Sequence, residues 1–248
     1  MLQEITNGVR WTNPNTGYQP PTPQRPAPFT PPTVRAGTPK LEGGTAVEQA
    51  QTAIEHAKTA WEKHVAATNE QKEHYSPEGY RAQLAAFADT EAAKAVDRAL
   101  TQVETRADNA AKDLAQIRAA LSPNGDTAAE LRATRYWNRT KPLLDNAKNP
   151  FTTAKELISA ASREELGVLL QELPAYLQAR GIPAEWIDHH VATVVPEYGD
   201  SVRRHQRAQK ALAIARHNAA VLRRTFTTGD PTAAVILVDG RKFDPDTD

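Results

Sequence analysis

Between residues 96 and 121 the apolar positions alternate steps of four and three: Val96, Leu100, Val103, Ala107, Ala110, Leu114, Ile117 and Leu121. The residues beside them are charged, among them Asp97, Arg98, Glu104, Arg106, Asp108, Lys112 and Asp113. A 3.5-residue period keeps one narrow stripe of a helix facing a neighbour along its length. The pattern predicts a long helix with a coiled-coil seam. Two further seams run through Val47, Ala50, Ile54, Ala57, Trp61 and His64, and through Ala208, Leu212, Ala215, Ala219, Leu222 and Phe226. The three can close on one another within one chain, or the long one can pair between chains and build a homo-oligomer. Spacing leaves both open.

Helix starts are marked by a side-chain oxygen three residues before a Glu, the reciprocal capping box. It occurs at Thr45–Glu48, Thr127–Glu130, Thr153–Glu156 and Ser162–Glu165, and Ser76 followed by Pro77 adds a cap with proline in the first turn. Pro142, Pro150, Pro174, Pro183 and Pro196 then divide the middle into short helices, at roughly 127–140, 142–148, 153–161, 163–180 and 183–194. Leu169, Leu170, Leu173, Tyr176 and Leu177 share one face there and predict a small core, with Gly181 as a C-cap.

The ends read differently. Nine of the eighteen prolines lie before residue 45, which predicts an extended, disordered arm. Ala234 to Val238 is a β-branched run before the turn signal Asp239-Gly240, and predicts a short β-like tail. The expected fold is therefore all-α: an elongated helical, coiled-coil body with a proline-rich arm and a β-like tail. Its segments are an arm at 1–44, long coiled-coil helices at 45–122, shorter helices at 123–200, a basic helix at 201–228 and the tail at 229–248.

Composition narrows the functional classes. Aromatics make up 6% and much of the apolar content is Ala, which buries little area per residue and favours thin helical packing or self-association. Without cysteine, disulfides and thiolate metal sites are excluded. The N-terminal residues carry no secretory pattern, and no apolar run approaches the roughly 20 residues of a membrane span. A soluble protein with no membrane partner is expected.

Formal net charge is zero, yet it is laid out in blocks. Arg203 to Arg224 holds seven Arg and Lys and no acid, whereas Glu156 to Asp200 holds eight acids against two arginines. The basic segment can fold back on its own chain, grip an acidic protein partner or neutralise phosphates. At about 100° per residue its charges do not gather on one face: Arg203, Arg207 and Lys210 cluster while Arg216 and Arg223 point away. Protein contact is thus favoured over nucleic acid, with Arg203, Arg204, Arg207, Lys210, Arg223 and Arg224 as the partner-binding set. A second set, Arg132, Arg135, Tyr136, Trp137 and Arg139, reads as interior anchors beside a solvated face, as interface anchors, or as a base-stacking surface that would serve the nucleic-acid alternative.

Nothing points to catalysis. The seven histidines form no HExxH, and no phosphate loop, nucleophile elbow or dinucleotide fingerprint occurs. Glu185, Asp188 and His189 in "EWIDHH" read as ordinary helix surface. A non-enzymatic protein without cofactor or metal is expected.

The proline-rich leader, the stretch "HYSPEGYRAQLAAFADTEAAKAVDRA" leading into the charged seam, and the block "TRYWNRT" together resemble structural proteins of tailed bacteriophages, especially those of actinobacterial hosts. The resemblance covers roughly residues 72 to 225. It implies a capsid scaffolding or minor head protein, acting in the host cytoplasm during assembly or staying in the virion. Such scaffolds are helical and elongated, and end in a basic helix that grips acidic patches on a capsid protein. Here about twenty residues follow that helix, a departure that raises the alternative of a minor head protein that stays in the virion.

Overall fold

The computed structural model describes residues 29–31, 33–41, 43–122 and 126–247. The chain divides at Pro32 into two units; of Met1–Pro32 only residues 29–31 are described, and the helices among the described residues belong to Thr33–Asp248. They are α1 (Ala46–Glu70), α2 (Pro77–Ala85), α3 (Glu91–Leu121), α4 (Thr127–Asp145), α5 (Pro150–Ala160), α6 (Arg163–Gln178), α7 (Trp186–Val194) and α8 (Pro196–Thr228). No strand occurs among the described residues. The chain is all-α.

Two capping boxes form as read. Thr45 Oγ accepts from the Glu48 amide at 3.2 Å while the Glu48 carboxylate accepts from the Thr45 amide at 3.0 Å, and Ser162 and Glu165 do the same at α6. Ser76 caps α2 ahead of Pro77. The other two expected boxes give way to neighbouring caps. Asp126 caps α4 and Asn149 caps α5, with Pro150 in the first turn, so Thr127 and Thr153 lie inside their helices. Pro142 does not end its helix either, and α6 runs through Pro174 as the 163–180 reading expects. Each proline removes one backbone hydrogen bond, but Thr140 and Leu144 are buried around the first, and Leu173 and Leu177 around the second. That packing carries each helix through the gap.

The apolar faces close into two cores. In the first, α1, the N-terminal part of α3 and the C-terminal part of α8 form a three-helix bundle around Ile54, Trp61, Val96, Val103, Leu212 and Leu222, with Phe87 and Phe226 at one end. The second gathers α4–α7 around Leu114 and Leu121 of α3 and Tyr198 and Val202 of α8. The antiparallel helices α3 and α8, about 46 and 50 Å long at 1.5 Å per residue, run through both, and α4–α7 form an insert between them.

This arrangement decides where the long seam goes. Val96, Leu100, Val103, Ala107, Ala110, Leu114 and Leu121 are buried and Ile117 is half-buried, all against helices of the same chain. The seam expected to serve oligomerisation is closed internally. A 3.5-residue period demands that a stripe be covered; it does not say by which chain.

The expected arm and tail are both partly described and both extended. At 33–41, Val34, Ala36 and Leu41 pack on the first core and Pro39 is buried, so this part of the arm is held against the body. The expectation of disorder for residues 1–28 lies outside the described residues. The tail begins at Gly229, a left-handed C-cap with φ of +58°. A Cβ there would also stand 2.8 Å from the Arg81 carbonyl oxygen, so the turn suits glycine twice over. From Ala233 to Val238 alternate residues turn inward, Val235 and Leu237 onto the first core, while Ile236 and Val238 are exposed. The two-residue period is that of a strand, but Val238 bonds to the side chain of Asn218 on α8 and the segment forms no strand.

Candidate interaction site

The tail runs back along α1 and α8 as a strap with two different anchors. The first is neutral. Asn218 of α8, fully buried, accepts from the Val238 amide at 3.0 Å and donates to the Val238 carbonyl at 2.8 Å. Beyond it Gly240 is buried beside Gln51 of α1, and a 3-10 turn at Arg241–Phe243 leads on to the second anchor.

The second anchor is ionic. Asp244, buried, accepts from the Thr45 hydroxyl and from the Asp246 amide, the latter at 2.9 Å. Asp246 itself takes a bidentate guanidinium from Arg106 of α3. That contact holds the Asp246 carboxyl below the usual carboxylate range, helped by the charges of Arg106 and Arg204 and opposed by partial burial. Arg207 donates to the Thr247 hydroxyl at 3.1 Å, and the Lys210 ammonium lies 5.4 Å from the centre of the Phe243 ring.

Beside this end of the strap, Arg203, Arg204 and Arg207 of α8 form one wall of an open cavity of about 580 Å³, with Pro245, Asp246 and Thr247 opposite and Asp200 at its edge. Arg203 pairs with Asp200 within the helix. The Nε of Arg207 is buried without a hydrogen-bond partner. Arginines with remaining donors, in a groove that already holds a carboxylate, make a receptor for acidic groups.

Of the six basic residues read as partner-binding, the structure gathers four here: Arg203, Arg204, Arg207 and Lys210. Arg223 and Arg224 lie toward the other end of α8. Arg223 is bound to Asp97 at 2.6 and 2.8 Å, and Arg216 to Glu104 at 3.0 and 3.2 Å. The acids that answer the basic helix therefore come chiefly from α3 and the tail, with Asp200 alone from the acidic 156–200 block. Arg106 belongs to the site and was not legible as such, because in sequence it is one of several charges flanking the seam.

The second candidate set is spread between core and surface. Trp137 and Tyr136 are half-buried against the second core, Trp137 edge-on to Tyr176 at 5.7 Å between ring centres. Burial pushes the Tyr136 hydroxyl up. Arg132 pairs with Glu164 at 3.0 Å, and Arg135 and Arg139 line an open groove of about 590 Å³ facing Ser162, Glu164 and Glu165. Here acids answer bases.

The "EWIDHH" residues serve as ties. Asp188 accepts two bonds from Arg118 at 2.8 Å, and Arg118 Nε donates to the Tyr198 hydroxyl at 3.0 Å, joining α3, α7 and α8. His190 Nε2 lies 3.1 Å from the Lys155 carbonyl and 3.0 Å from Ser159 Oγ. Among the described residues no group of three metal-ligating side chains converges, and no helix is long and apolar enough to cross a membrane.

No family model matches the chain, and no curated protein or solved structure matches it.

Proposed function

We propose that this chain is a non-enzymatic assembly protein, of the class its sequence resembles in phage heads, which docks an acidic segment of a protein partner on the arginine end of α8. One observation carries the reading. The groove lined by Arg203, Arg204 and Arg207 is already flanked by an acidic peptide, the chain's own residues 244–247, whose Thr247 hydrogen-bonds Arg207. Charge complementarity of this kind favours recognition and encounter. Self-association, where it occurs in this reading, uses surfaces other than the 96–121 seam, which is filled from within. The nucleic-acid alternative is weakened because Arg216 and Arg223, needed to extend a phosphate-tracking surface along α8, are engaged by Glu104 and Asp97.

The test is binding of a fluorescein-labelled acidic peptide, Lys-Phe-Asp-Pro-Asp-Thr-Asp, read by anisotropy at low salt. Replacing Arg203, Arg204 and Arg207 together by Glu abolishes binding if the reading is right. Binding that survives the triple replacement overturns it.

A further inference from the structure

We propose that the end of the C-terminal strap is a tethered competitor, which the acidic partner must displace to reach the arginine groove; this rests on the reading of that groove just given. The strap makes with its own body the contacts an acidic ligand would make. Asp246 takes the Arg106 guanidinium, Thr247 takes an N–H of Arg207, and Phe243 lies under the Lys210 ammonium. All three ligating residues fall within five positions of one another, and three basic residues from two helices answer them.

The division into two anchors makes such exchange physically simple. Asn218, Gln51 and the inward Val235 and Leu237 hold the strap without charge, upstream of the turn at Arg241–Phe243. The ionic end lies beyond that turn. An acidic ligand can replace Asp246 on Arg106 and Arg204 while the neutral anchor keeps the strap in place. Within the ionic end Asp246 is the wetter group: its side chain retains 35% of its exposure, whereas Asp244 and Asn218 are buried. Part-exposed ion pairs contribute little and are screened by salt, so Asp246 releases before Asp244 and before the neutral anchor. A tethered competitor acts through its local concentration, which is set by the short connection from the fixed point.

The competition is read by comparing the full chain with Asp246→Asn, which keeps shape and removes charge, and Asp246→Ser, which also removes reach. Both are expected to bind the same acidic peptide about tenfold more tightly than the unchanged chain. Asp89→Asn removes one charge outside the site and leaves affinity unchanged, which separates release of the strap from a change in overall charge. In the unchanged chain, saturating peptide speeds exchange of the Asp246 amide, bonded to Asp244, and leaves the Val238 amide, bonded to Asn218, protected.

Equal affinity of the unchanged chain and both Asp246 variants, with binding still lost on the arginine replacements, overturns the competitor and leaves the groove standing. An Asp89→Asn effect as large as that at Asp246 overturns it likewise. No binding by any of these proteins overturns the groove and the competitor together.

Discussion

Asn218 and Val238 hold each other by two hydrogen bonds, the side-chain amide of one answering the backbone amide of the other at 3.0 and 2.8 Å. Asn218 thus supplies to an extended segment the pair of bonds that a neighbouring strand would supply. Replacing it by Ala leaves the Val238 N–H and C=O without that partner and costs about 2 kcal/mol. Urea unfolding measures the loss. Amide exchange at Val238, fast in the variant and slow in the parent, assigns it to the strap.

Gly167 is where α6 meets the end of α3. A Cβ on it would stand 1.9 Å from the Leu121 carbonyl oxygen and 2.9 Å from the Ser122 Cα, both backbone atoms that cannot rotate aside. Gly167→Ala is expected to cost about 3 kcal/mol through forced separation of the helices. Gly181 makes the contrast: its φ is +69° but nothing lies within 4 Å of its built Cβ. Gly181→Ala therefore pays only for backbone strain, about 1 kcal/mol. Thermal unfolding of the two variants in parallel checks the order.

Leu100 lies on the seam and is buried by its own chain. Leu100→Asp places an unpaired charge inside the bundle and is expected to cost about 4 kcal/mol. Circular dichroism should show loss of helix, with the folded fraction unchanged in mass by light scattering. A drop in mass with helicity retained would mean that the seam joins chains after all.

Tyr198, fully buried, has its hydroxyl pushed up to about 12, chiefly by burial and then by its bond to Asp188. An unfolded tyrosine releases its proton near 10. Between those values the folded chain holds a proton that the unfolded chain has lost, so stability is full below about 10 and falls as pH rises towards 12. Burial pushes Tyr136 and Tyr176 in the same direction. Denaturant midpoints between pH 9 and 12 should therefore fall in the parent, and fall less steeply in Tyr198→Phe.

Much of the helical framework was legible in local chemistry. Thr45 with Glu48, Ser162 with Glu165 and Ser76 with Pro77 mark their helices because each cap is settled within four residues. The heptad stripe was legible as a stripe to be buried, and its cover was not, since α1 and α8 are distant in sequence. Pro142 misled because the packing that outweighs it comes from other helices. The site was half legible. Arg203, Arg204, Arg207 and Lys210 show as a cluster within about two turns of helix, but Arg106 reaches them only through the fold. Asn218 had no signal at all; an amide that grips a remote backbone looks in sequence like any polar residue on a helix.

The insertion of α4–α7 between α3 and α8 also sets an order of events during synthesis. The second core is built from residues between Leu114 and Val202, a continuous stretch that can close as soon as it leaves the ribosome. The three-helix bundle needs the far end of α8, so α1 and the start of α3, which can pair with each other, wait with their stripes only partly covered until nearly the whole chain has emerged. The strap comes last. Residues that meet earliest along the polypeptide thus include some that must stay partly uncovered longest, and the nascent chain is most exposed to other chains in the interval before α8 arrives.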